Sequence, residues 1–453
     1  MAEHIFTGFG FGPIQGGLFV KEAFQSGNFA RIVAAEIDAE IVEAVKANKG
    51  SYYVNVAKAD GVEVLKIDNV ELYAPNVAAD RQMLLEVLAK STEITTCLPS
   101  VDFYDSAGAS GAASLIADGL KNSKAQATII YTAENNNRAA EMLEEAVTKK
   151  IGALSPEKVR FLNTVIGKMS RVVTGPPEAG QSEALDRIIP SSGRIMAGVA
   201  GPAEIAELKL KTIAPGIKRS FLVEEFNRIL VGRTQITGFK PGIEVFIEKD
   251  DLLAFEEAKL YGHNAVHSLL GFIGAVKGYT KMTELKRDQA VMQIGRKAFL
   301  QECGAALIRK YASLGDRLFT EAGFRDYAQD LLERMTNPYL GDTVARVVRD
   351  AVRKLRINGR IFGTMTLALE HGIEPTNMAL GAMAGIAVLL ETADENSLPG
   401  DLRFGDWRKL DDAGIERIIN WLWTGQSCNY AQQLIKYVQN AKKHLETLVP
   451  DGV

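Results

Sequence analysis

The sequence predicts an α/β protein in which a parallel-sheet domain is followed by a mainly α-helical domain. From residue 1 to about residue 231, short runs rich in β-branched and aromatic residues alternate with helical patterns. That alternation is typical of a parallel sheet covered by helices. Beyond about residue 236, helical periodicity dominates, which indicates a second, mainly helical domain. The chain of 453 residues, 47% of them hydrophobic, is long enough for a core in each domain.

The elements of the first domain are predicted from short apolar runs and from helical periodicity. The predicted strands cover residues 4–8, 31–37, 92–97, 127–132 and 219–223, and the clearest helices cover residues 39–47 and 138–150. The first strand, a glycine-rich turn with its helix, and the second strand fit one βαβ unit of about 30 residues. The stretch 238–242 contains Pro241 and marks the junction, so we expect domains at 1–236 and 237–453.

Composition excludes several classes of protein. The formal net charge of −4 predicts no general attraction to nucleic acid or to an anionic membrane. No signal peptide is recognised, and no apolar run approaches the ~18 residues of a membrane span. The cysteines Cys97, Cys303 and Cys428 are widely spaced, which argues against a disulfide framework or a structural zinc site. We therefore expect a soluble, cytoplasmic protein with reduced thiols.

A glycine-rich turn joins the first strand to the first helix. Glycine permits positive φ angles and lets backbone N–H groups approach a pyrophosphate at the positive end of a helix dipole. The spacing departs from a strict GxGxxG because Gln15 stands at the third glycine's position, one residue before Gly16. The residues expected to contact a dinucleotide here are Gly10, Phe11, Gly12, Pro13 and Ile14.

An acidic residue stands at the end of the second predicted strand, where dinucleotide-binding folds recognise the ribose. Glu36 would reach the adenosine ribose diol, and its charge would repel a 2′-phosphate, which predicts NAD rather than NADP as cofactor. Asp38 is the competing ribose ligand. The alternative is a turn that binds no nucleotide, with Glu36 as a solvated strand-end residue.

One short segment contains the groups that alcohol–ketone interconversion requires, namely a proton acceptor and donors that hold the oxygen. On an α-helix, Lys259, His267 and Asn264 would fall at about 0°, 80° and 140°, on one broad face. Lysine has an ordinary pKa near ~10.4, so burial or a neighbouring cation must lower it. The alternative is a surface lysine with ordinary helix polar residues, and His263 competes for any role given to His267.

Three further polar clusters stand where a site could form. Residues 134–137 follow the strand at 127–132, where open α/β sheets bind ligands, and an asparagine there could hold a substrate oxygen. The other two clusters are residues 186–190 and 223–226. Their simpler interpretations are a surface ion pair and a strand-end cap.

A basic stretch in the second domain could bind an anion. On a continuous helix, Arg346, Arg349 and Arg353 would share one face, with Lys354 about 80° from Arg346. Guanidinium forks suit a phosphate or a carboxylate. The alternative is a solvated basic face on which Asp350 pairs with Arg346 and Lys354.

Taken in order, these motifs resemble the mannitol dehydrogenase family over nearly the whole chain, most of all its mannitol-1-phosphate 5-dehydrogenase branch. The matching segments are the turn at 9–17, Glu134-Asn135, residues 186–190 and 223–226, and the Lys259-x4-Asn264-x2-His267 pattern. Asn337 to Arg360 also resembles the helical domain of the sugar-phosphate branch. Departures from the family pattern are Gln15 in the turn, Ala265 and Val266 beside the histidine, and Val348 in the basic stretch.

The resemblance implies a Rossmann-type NAD-binding domain, a helical substrate domain and an active site in the cleft between them. It implies that Lys259 is the general acid/base, that Asn135 and Asn264 hold the developing alkoxide, and that His267 positions the substrate. Further substrate contacts are expected from Asp186, Arg346, Arg349 and Lys354.

The expected substrate is a small polyol or sugar phosphate, with no catalytic metal and with a monomer or weak homo-oligomer as the assembly. Two alternatives stay open. A uronate reductase of the same family would use the same arginines for its substrate's carboxylate. A nucleotide-binding sensor would have kept the fold and lost the chemistry.

Overall fold

The computed structural model describes residues 4–175, 210–394 and 398–450, which form two compact units. The first unit ends at Leu253 and the second begins at Ala254. The sequence places the boundary earlier, at 236/237. The difference arises because the chain forms one more strand of the first unit, Phe246–Lys249, after the glycine- and proline-containing stretch. Among the described residues, no helix is long and apolar enough to cross a membrane.

The described part of the first unit contains twelve strands in two sheets. They are β1 (His4–Phe9), β2 (Phe29–Ala35), β3 (Tyr52–Ala57), β4 (Val62–Ile67), β5 (Val70–Tyr73), β6 (Glu93–Thr96), β7 (Thr128–Thr132), β8 (Val159–Ile166), β9 (Ser170–Thr174), β10 (Arg219–Glu224), β11 (Ile229–Gly232) and β12 (Phe246–Lys249). The larger sheet has the order β12-β11-β8-β7-β6-β1-β2-β5, and all its pairs are parallel except β11–β8.

The smaller sheet has the order β4-β3-β10-β9, in which only β3 and β10 pair in parallel. The strand predicted at 219–223 therefore exists as β10, but it belongs to this smaller sheet and not to the parallel sheet. Sequence patterns show that a segment is extended, whereas the pairing partner depends on contacts far along the chain.

The helices of the first unit cover both faces of the larger sheet. They are α1 (Val20–Ser26), α2 (Ala39–Ala47), α3 (Ala78–Leu88), α4 (Ala112–Lys121) and α5 (Ala139–Ile151), and a π-helical segment, Gln15–Phe19, runs directly into α1. Because the central strands are covered on both sides, β6 and β7 are buried at every residue. One core packs α3, α4 and α5 against the sheet, and the other contains Phe6, Phe19, Tyr52 and Phe221.

The second unit is helical throughout its described part, apart from one isolated bridge between Lys281 and Thr343. Its helices are α6 (Leu253–Glu257), α7 (Ala265–Val276), α8 (Met282–Leu285), α9 (Gln289–Lys297), α10 (Ala305–Tyr311), α11 (Glu321–Met335), α12 (Val344–Val348), α13 (Ala351–Lys354), α14 (Arg360–Glu370), α15 (Thr376–Glu391), α16 (Asp412–Trp423) and α17 (Ala431–Leu448). Two π-helical segments interrupt this pattern. Ala258–Asn264 joins α6 to α7, and Ala298–Gly304 joins α9 to α10.

The centre of the second unit is the contact between α7 and α15. Both helices are apolar on all sides, and α15 is buried from Met378 to Leu390. Small residues let them approach closely, since a Cβ atom on Gly381 would lie 3.0 Å from the Leu269 side chain. Close packing of this kind leaves little freedom to the helix that follows the first π segment. The candidate catalytic residues are therefore mounted on a rigid support.

Candidate active site

The glycine-rich turn has the backbone that a dinucleotide requires. Gly10 adopts a φ of +80°, and a Cβ atom there would lie 2.8 Å from the Cys97 carbonyl oxygen, so only glycine fits. Gly12 differs, because a Cβ atom at that position would meet nothing within 4 Å. The turn thus presents open space beside Gly12, where a pyrophosphate could approach the backbone. Pro13 and Ile14 are partly buried where the helix begins.

The departure at Gln15 has a packing explanation. Its side chain is fully buried, and its amide exchanges two hydrogen bonds with the Thr95 hydroxyl, at 2.8 and 3.0 Å. Close contact between helix and sheet falls instead to the two residues that follow. A Cβ atom on Gly16 would lie 2.8 Å from the Phe221 ring, and one on Gly17 would lie 2.5 Å from Val223. Gly16 and Gly17 therefore allow the close packing of helix against strand that the third glycine of the motif usually allows.

The two acidic residues after β2 have different roles. The Glu36 carboxylate accepts the Phe11 N–H at 2.7 Å and the Asp38 N–H at 2.8 Å, which holds it directly beside the glycine-rich turn. Asp38 caps α2 by accepting the Glu40 and Ile41 N–H groups, and it forms an ion pair of 2.7 Å with Arg219. Asp38 is therefore committed to the helix cap. Glu36 is the better placed of the two to meet a ribose, and this assignment stays a prediction.

The acidic-Asn pair after β7 splits into a structural and an exposed residue. Glu134 is buried and accepts hydrogen bonds from the Thr96 hydroxyl (2.9 Å), the Leu98 N–H (2.8 Å) and the Tyr104 hydroxyl (2.6 Å). These bonds fix the ends of two strands relative to each other. Asn135 is exposed at the carboxyl end of β7, the edge at which parallel sheets bind ligands. The fold thus presents Asn135 where the sequence predicts it.

Of the other two predicted clusters of the first half, one is structural and one lies outside the described residues. Glu224 is buried and accepts the Met169 N–H, while Lys168 donates to the carbonyl oxygens of Glu224 and Phe226. This cluster ties β10 to the turn before β9. Asp186, with the rest of residues 186–190, is outside the described part of the chain.

Lys259 lies in the first π segment, a geometry that the sequence argument did not anticipate. The predicted angles assume an α-helix, whereas Ala258–Asn264 is π-helical. In a π-helix, hydrogen bonds join residues that are five apart, so Lys259 and Asn264 are one hydrogen-bonded turn from each other. Their side chains therefore lie closer to the same face of the helix than they would in an α-helix. Segments of this kind are rare and occur frequently at functional sites.

The environment of Lys259 favours its neutral amine. Burial and, to a smaller extent, the charge of Arg360 lower the pKa of Lys259 to about 8, and Glu256 acts in the opposite direction. An ordinary lysine is almost wholly protonated at neutral pH. The predicted requirement for a depressed lysine pKa is thus present at this residue.

Two histidines follow Lys259 and differ in their partners. His267 is buried with Nε2 3.3 Å from Asp342 Oδ2, although the two atoms are not aligned as a hydrogen bond. Burial lowers the pKa of His267, and Asp342 partly offsets this effect. His263 is also buried, its Nδ1 has no hydrogen-bond partner among the described residues, and burial holds its pKa well below the usual value. The structure therefore keeps both candidates in place, with only His267 next to a carboxylate.

A carboxylate that the sequence argument did not single out organises this region. Asp342 accepts Nε and Nη2 of Arg346, both at 2.6 Å, in a bidentate pair. Burial alone would raise the pKa of Asp342, but His267 and Arg346 outweigh it and hold that pKa far below its usual range. The signal in the sequence was the spacing of four residues between Asp342 and Arg346.

The predicted single basic face of Arg346, Arg349 and Arg353 is wrong, because the helix is broken between them. Arg349 has extended backbone angles (φ −49°, ψ 148°) and Asp350 follows with a φ of +57°. The first arginine therefore lies on α12 and the third on α13. The predicted pairing of Asp350 with Arg346 and Lys354 also fails, since Asp350 pairs with Arg353 at 3.3 Å.

The cations of this stretch differ in their exposure. Arg349 and Arg353 are exposed, whereas Lys354 is 4% exposed. Burial lowers the pKa of Lys354 to about 7, and the charge of Arg360 contributes in the same direction. A buried cation among other cations is costly, and residues held at such a cost concentrate at functional sites. Of the predicted anion contacts, Lys354 fits this description, Arg346 is paired with Asp342, and Arg349 is a surface residue.

Comparison with known proteins agrees with both units. Residues 251–445 match the family described as the mannitol dehydrogenase C-terminal domain. A D-sorbitol dehydrogenase in substrate-free form superposes with a TM-score of 0.70 at 16% identity, over 98% of this chain and 94% of that chain. Mannitol 2-dehydrogenase of Pseudomonas fluorescens, in a ternary complex with NAD and D-mannitol, superposes with a TM-score of 0.65 at 15% identity, over 99% and 94%.

The parallel-sheet unit and the helical unit together have the fold of these two polyol dehydrogenases. More particularly, residues 251–445 belong to the family of mannitol dehydrogenase C-terminal domains. The two-domain α/β fold expected from the resemblance is confirmed. The narrower mannitol-1-phosphate 5-dehydrogenase branch stays a prediction.

Proposed function

We propose that the protein uses NAD to interconvert a polyol or polyol phosphate and the corresponding ketose or ketose phosphate. The observation that carries this proposal is Lys259, a lysine on a π-helical segment whose pKa is lowered to about 8. The family, the glycine-rich turn and the buried cations agree with it. Lys259 would act as the general acid/base, in keeping with the resemblance.

NAD fits the residues of the first unit. The positive φ of Gly10, the open space beside Gly12 and the Glu36 carboxylate next to the turn match the pyrophosphate and ribose contacts of dinucleotide-binding folds. Phe11, Pro13 and Ile14 complete the turn. Bound here, NAD would supply the hydride acceptor for oxidation, and its reduced form the donor for the reverse reaction. Repulsion between Glu36 and a 2′-phosphate would disfavour NADP.

In the direction of oxidation, the neutral Lys259 amine would take the hydroxyl proton as the carbon loses its hydride. With a pKa of about 8, roughly a tenth of Lys259 is neutral at pH 7, against fewer than one in a thousand ordinary lysines. In reduction, the protonated amine would return that proton to the alkoxide. A base tuned close to the working pH is the arrangement that general acid–base catalysis favours.

The asparagines and the histidine would hold the reacting oxygen. Asn264 follows Lys259 by one π-helical turn, so its amide can donate a hydrogen bond to the oxygen that Lys259 deprotonates. Asn135 is proposed as the second donor, from the first unit. His267 would orient the substrate, since its ring is buried beside the Asp342–Arg346 pair and cannot turn freely.

The proposed nature of the substrate rests on the cations of the second unit. The two solved neighbours are named for sorbitol and mannitol, which carry no charge. Lys354 is buried, and an anion would offset the cost of its burial. This favours a polyol phosphate over a neutral polyol, with Arg346, Lys354 and the exposed Arg349 as its contacts and Asp186 as a further one. A uronate would use the same cations through its carboxylate.

The experiment is a substrate panel with NADH and NADPH in parallel, containing fructose, fructose 6-phosphate and fructuronate. The proposal expects turnover with NADH and the highest kcat/KM for fructose 6-phosphate. Preference for fructuronate would identify a uronate reductase. Tight NADH binding without turnover on a broad polyol and ketose panel would identify a sensor, and a clear preference for NADPH would refute the role of Glu36.

The role of Lys259 is tested on the best substrate of that panel. Lys259→Ala is expected to lower kcat by about 10²-fold or more while NADH binding is kept, because general acid–base assistance contributes at least that much. The matched control is Lys297→Ala, an exposed lysine on α9, which should retain full activity. Turnover within about tenfold of wild type in Lys259→Ala would remove the proton-transfer role.

A cytoplasmic location and a monomeric or weakly associated state stay predictions.

A further inference from the structure

The first residue of α14, Arg360, is linked to the π segment of Lys259 through Ser268 on α7. The Arg360 guanidinium donates from Nη1 to the Ser268 hydroxyl oxygen at 3.3 Å, and the Ser268 hydroxyl donates in turn to the Asn264 carbonyl oxygen at 2.8 Å. This chain of two hydrogen bonds ends at the last residue of the π segment. Arg360 is therefore linked through Ser268 to the carboxyl end of the segment, at the residue whose amide is proposed to hold the substrate oxygen.

A second contact secures the middle of the same segment. The Thr364 hydroxyl lies 3.2 Å from the Tyr261 carbonyl oxygen and 2.6 Å from that of Arg360, and it can donate to either. A Cβ atom on Gly363 would lie 2.8 Å from the Tyr261 ring, so the two helices approach because this residue is glycine. In a π segment the hydrogen-bond register is shifted, and a carbonyl partner from another helix helps to hold it. Helix α14 thus braces the segment that carries Lys259.

Arg360 also differs from the other arginines of the region in its charge balance. The charge of Arg346 is offset by its bidentate pair with Asp342, and Arg353 pairs with Asp350. Within the described ranges, Arg360 makes no ion pair, although it is only partly exposed. Burial and the charge of Arg353 lower the pKa of the Arg360 guanidinium to about 10. A guanidinium at that value still carries its full positive charge at neutral pH.

The positive charge of Arg360 acts on every proton-carrying group around it. It contributes to the lowered pKa values of Lys259, His263, His267 and Lys354, in each case together with burial. The other charged groups that bear on these four are Glu256, Arg334, Asp342, Arg346, Asp350 and Arg353. Only Glu256 acts on Lys259 in the opposite direction. The neighbouring π segment adds the Glu302 carboxylate, which caps α15 through the Asn377 and Met378 N–H groups and does not face Lys259.

We propose that Arg360 is a positioning residue for Lys259: through Ser268 it holds the carboxyl end of the π segment that carries the proposed base, and it places an unpaired positive charge at that end of the segment. The proposal rests on the proposed function, because it assigns the tuning of the proposed base to one residue. It gives Arg360 a role that does not require contact with the substrate.

The test separates the charge of Arg360 from its hydrogen bond. Arg360→Met and Arg360→Gln remove the charge, Arg360→Lys keeps it, and Ser268→Ala breaks the hydrogen-bond chain without altering charge. In each purified variant, trace labelling with acetic anhydride across pH, followed by mass spectrometry of the Lys259 peptide, measures the pKa of Lys259 without any need for turnover. The pH profile of kcat/KM for polyol oxidation is recorded in parallel.

The proposal expects loss of the Arg360 charge to raise the pKa of Lys259 by about 0.5–1 unit, and to move the ascending limb of the oxidation profile to higher pH by the same amount. Arg360→Lys should stay within about 0.3 unit of wild type. Ser268→Ala should lower kcat several-fold, while the ascending limb of the pH profile stays at the same pH as in the wild type. Circular dichroism confirms folding, and the pair of charge-removing variants guards against one that fails to fold.

Three outcomes would overturn the proposal. The first is an unchanged Lys259 pKa in both charge-removing variants. The second is an equal shift in Arg360→Lys. The third is a rise in KM for a phosphorylated substrate with no shift in the limb, which would make Arg360 a substrate contact instead. If the labelling shift appears but Lys259→Ala remains fully active, the proposed base fails while the electrostatic coupling between the two residues stands.

Discussion

Replacing Asp342 by asparagine tests how much the second unit depends on one buried carboxylate. Asp342 is 2% exposed and accepts two hydrogen bonds of 2.6 Å from Arg346, while His267 Nε2 lies 3.3 Å away. An asparagine at this position keeps the size of the side chain but removes the charge. It also points an NH₂ group at one guanidinium nitrogen, donor against donor. Arg346 would then be left largely withdrawn from water without its counter-charge.

The magnitude follows from the burial of the two partners. Breaking a buried, hydrogen-bonded charge pair by removing one partner costs about 3–5 kcal/mol. Because the Arg346 side chain is 31% exposed and can recover some hydration, we expect the lower end, about 3 kcal/mol in the free energy of unfolding. The matched control is Asp350→Asn. Asp350 is exposed, pairs with an exposed arginine and has a φ of +57°, which asparagine also tolerates, so its loss should cost less than about 1 kcal/mol.

Urea denaturation followed by intrinsic tryptophan fluorescence is the assay. All three tryptophans, Trp407, Trp421 and Trp423, lie in the second unit, so the signal reports its unfolding. The folded pKa of Asp342 is lowered, so its stabilising contribution is present above the unfolded value near ~3.9 and is lost as pH falls toward the folded value. The difference between wild type and Asp342→Asn should therefore be constant from pH 8 to 5 and shrink below about pH 4. A cost under about 1 kcal/mol, or one equal to that of Asp350→Asn, would refute this reasoning.

Three other outcomes are expected from single substitutions. The folded pKa of Lys354 is about 7, well below that of an unfolded lysine, so the unfolded state binds more protons between pH 7 and about 10.5. The free energy of unfolding of the wild type should therefore rise across that pH range. Lys354→Met should flatten this rise in urea titrations while it raises KM for a phosphorylated substrate. Gly12→Ala should leave the melting temperature unchanged, but NADH binding, measured by fluorescence titration, should weaken at least tenfold. Gly17→Ala should instead lower the melting temperature, because its Cβ atom would lie 2.5 Å from the Val223 side chain. Glu36→Gln should reduce the preference for NADH over NADPH, measured as a ratio of kcat/KM values, and an unchanged ratio would contradict the ribose assignment.

Local patterns were sufficient to predict five of the twelve described strands of the first unit and its helices α2 and α5. The helix predicted at 39–47 has the same bounds in the structure, and β1, β2, β6 and β7 lie within a few residues of their predictions. These elements are specified by their own hydrophobic periodicity and by the caps at their ends, such as Asp38 before α2. The glycine-rich turn could be predicted for the same reason, since its backbone angles depend on glycine itself.

What the sequence pattern missed depends on contacts between distant residues. The π-helical form of Ala258–Asn264 goes together with Gly363 and Thr364 on another helix, about a hundred residues later. No periodicity in the segment encodes it. The break at Arg349 and Asp350 is equally invisible, because neither residue is a glycine or proline that would signal the end of a helix.

The candidate site was predicted in its residue types better than in its geometry. Lys259, Asn264 and His267 share one helical region, as expected, but through a π segment that brings lysine and asparagine nearer to one face. The basic stretch is divided into exposed and buried cations. Asp342 and Arg360 determine the balance of charge around the candidate site. Both are ordinary in the sequence, and their importance is seen only from their burial in the structure.

The pH dependence of polyol oxidation in wild type and in Lys259→Ala tests the central claim most directly. The account predicts that kcat/KM of the wild type rises with pH through a limb near 8, as Lys259 loses its proton, and that this limb is absent from the residual activity of Lys259→Ala. Restoration of activity by a small primary amine, with a limb at the pKa of that amine, would accompany it. A limb near pH 8 that survives in Lys259→Ala with turnover close to wild type would contradict the claim that Lys259 transfers the proton.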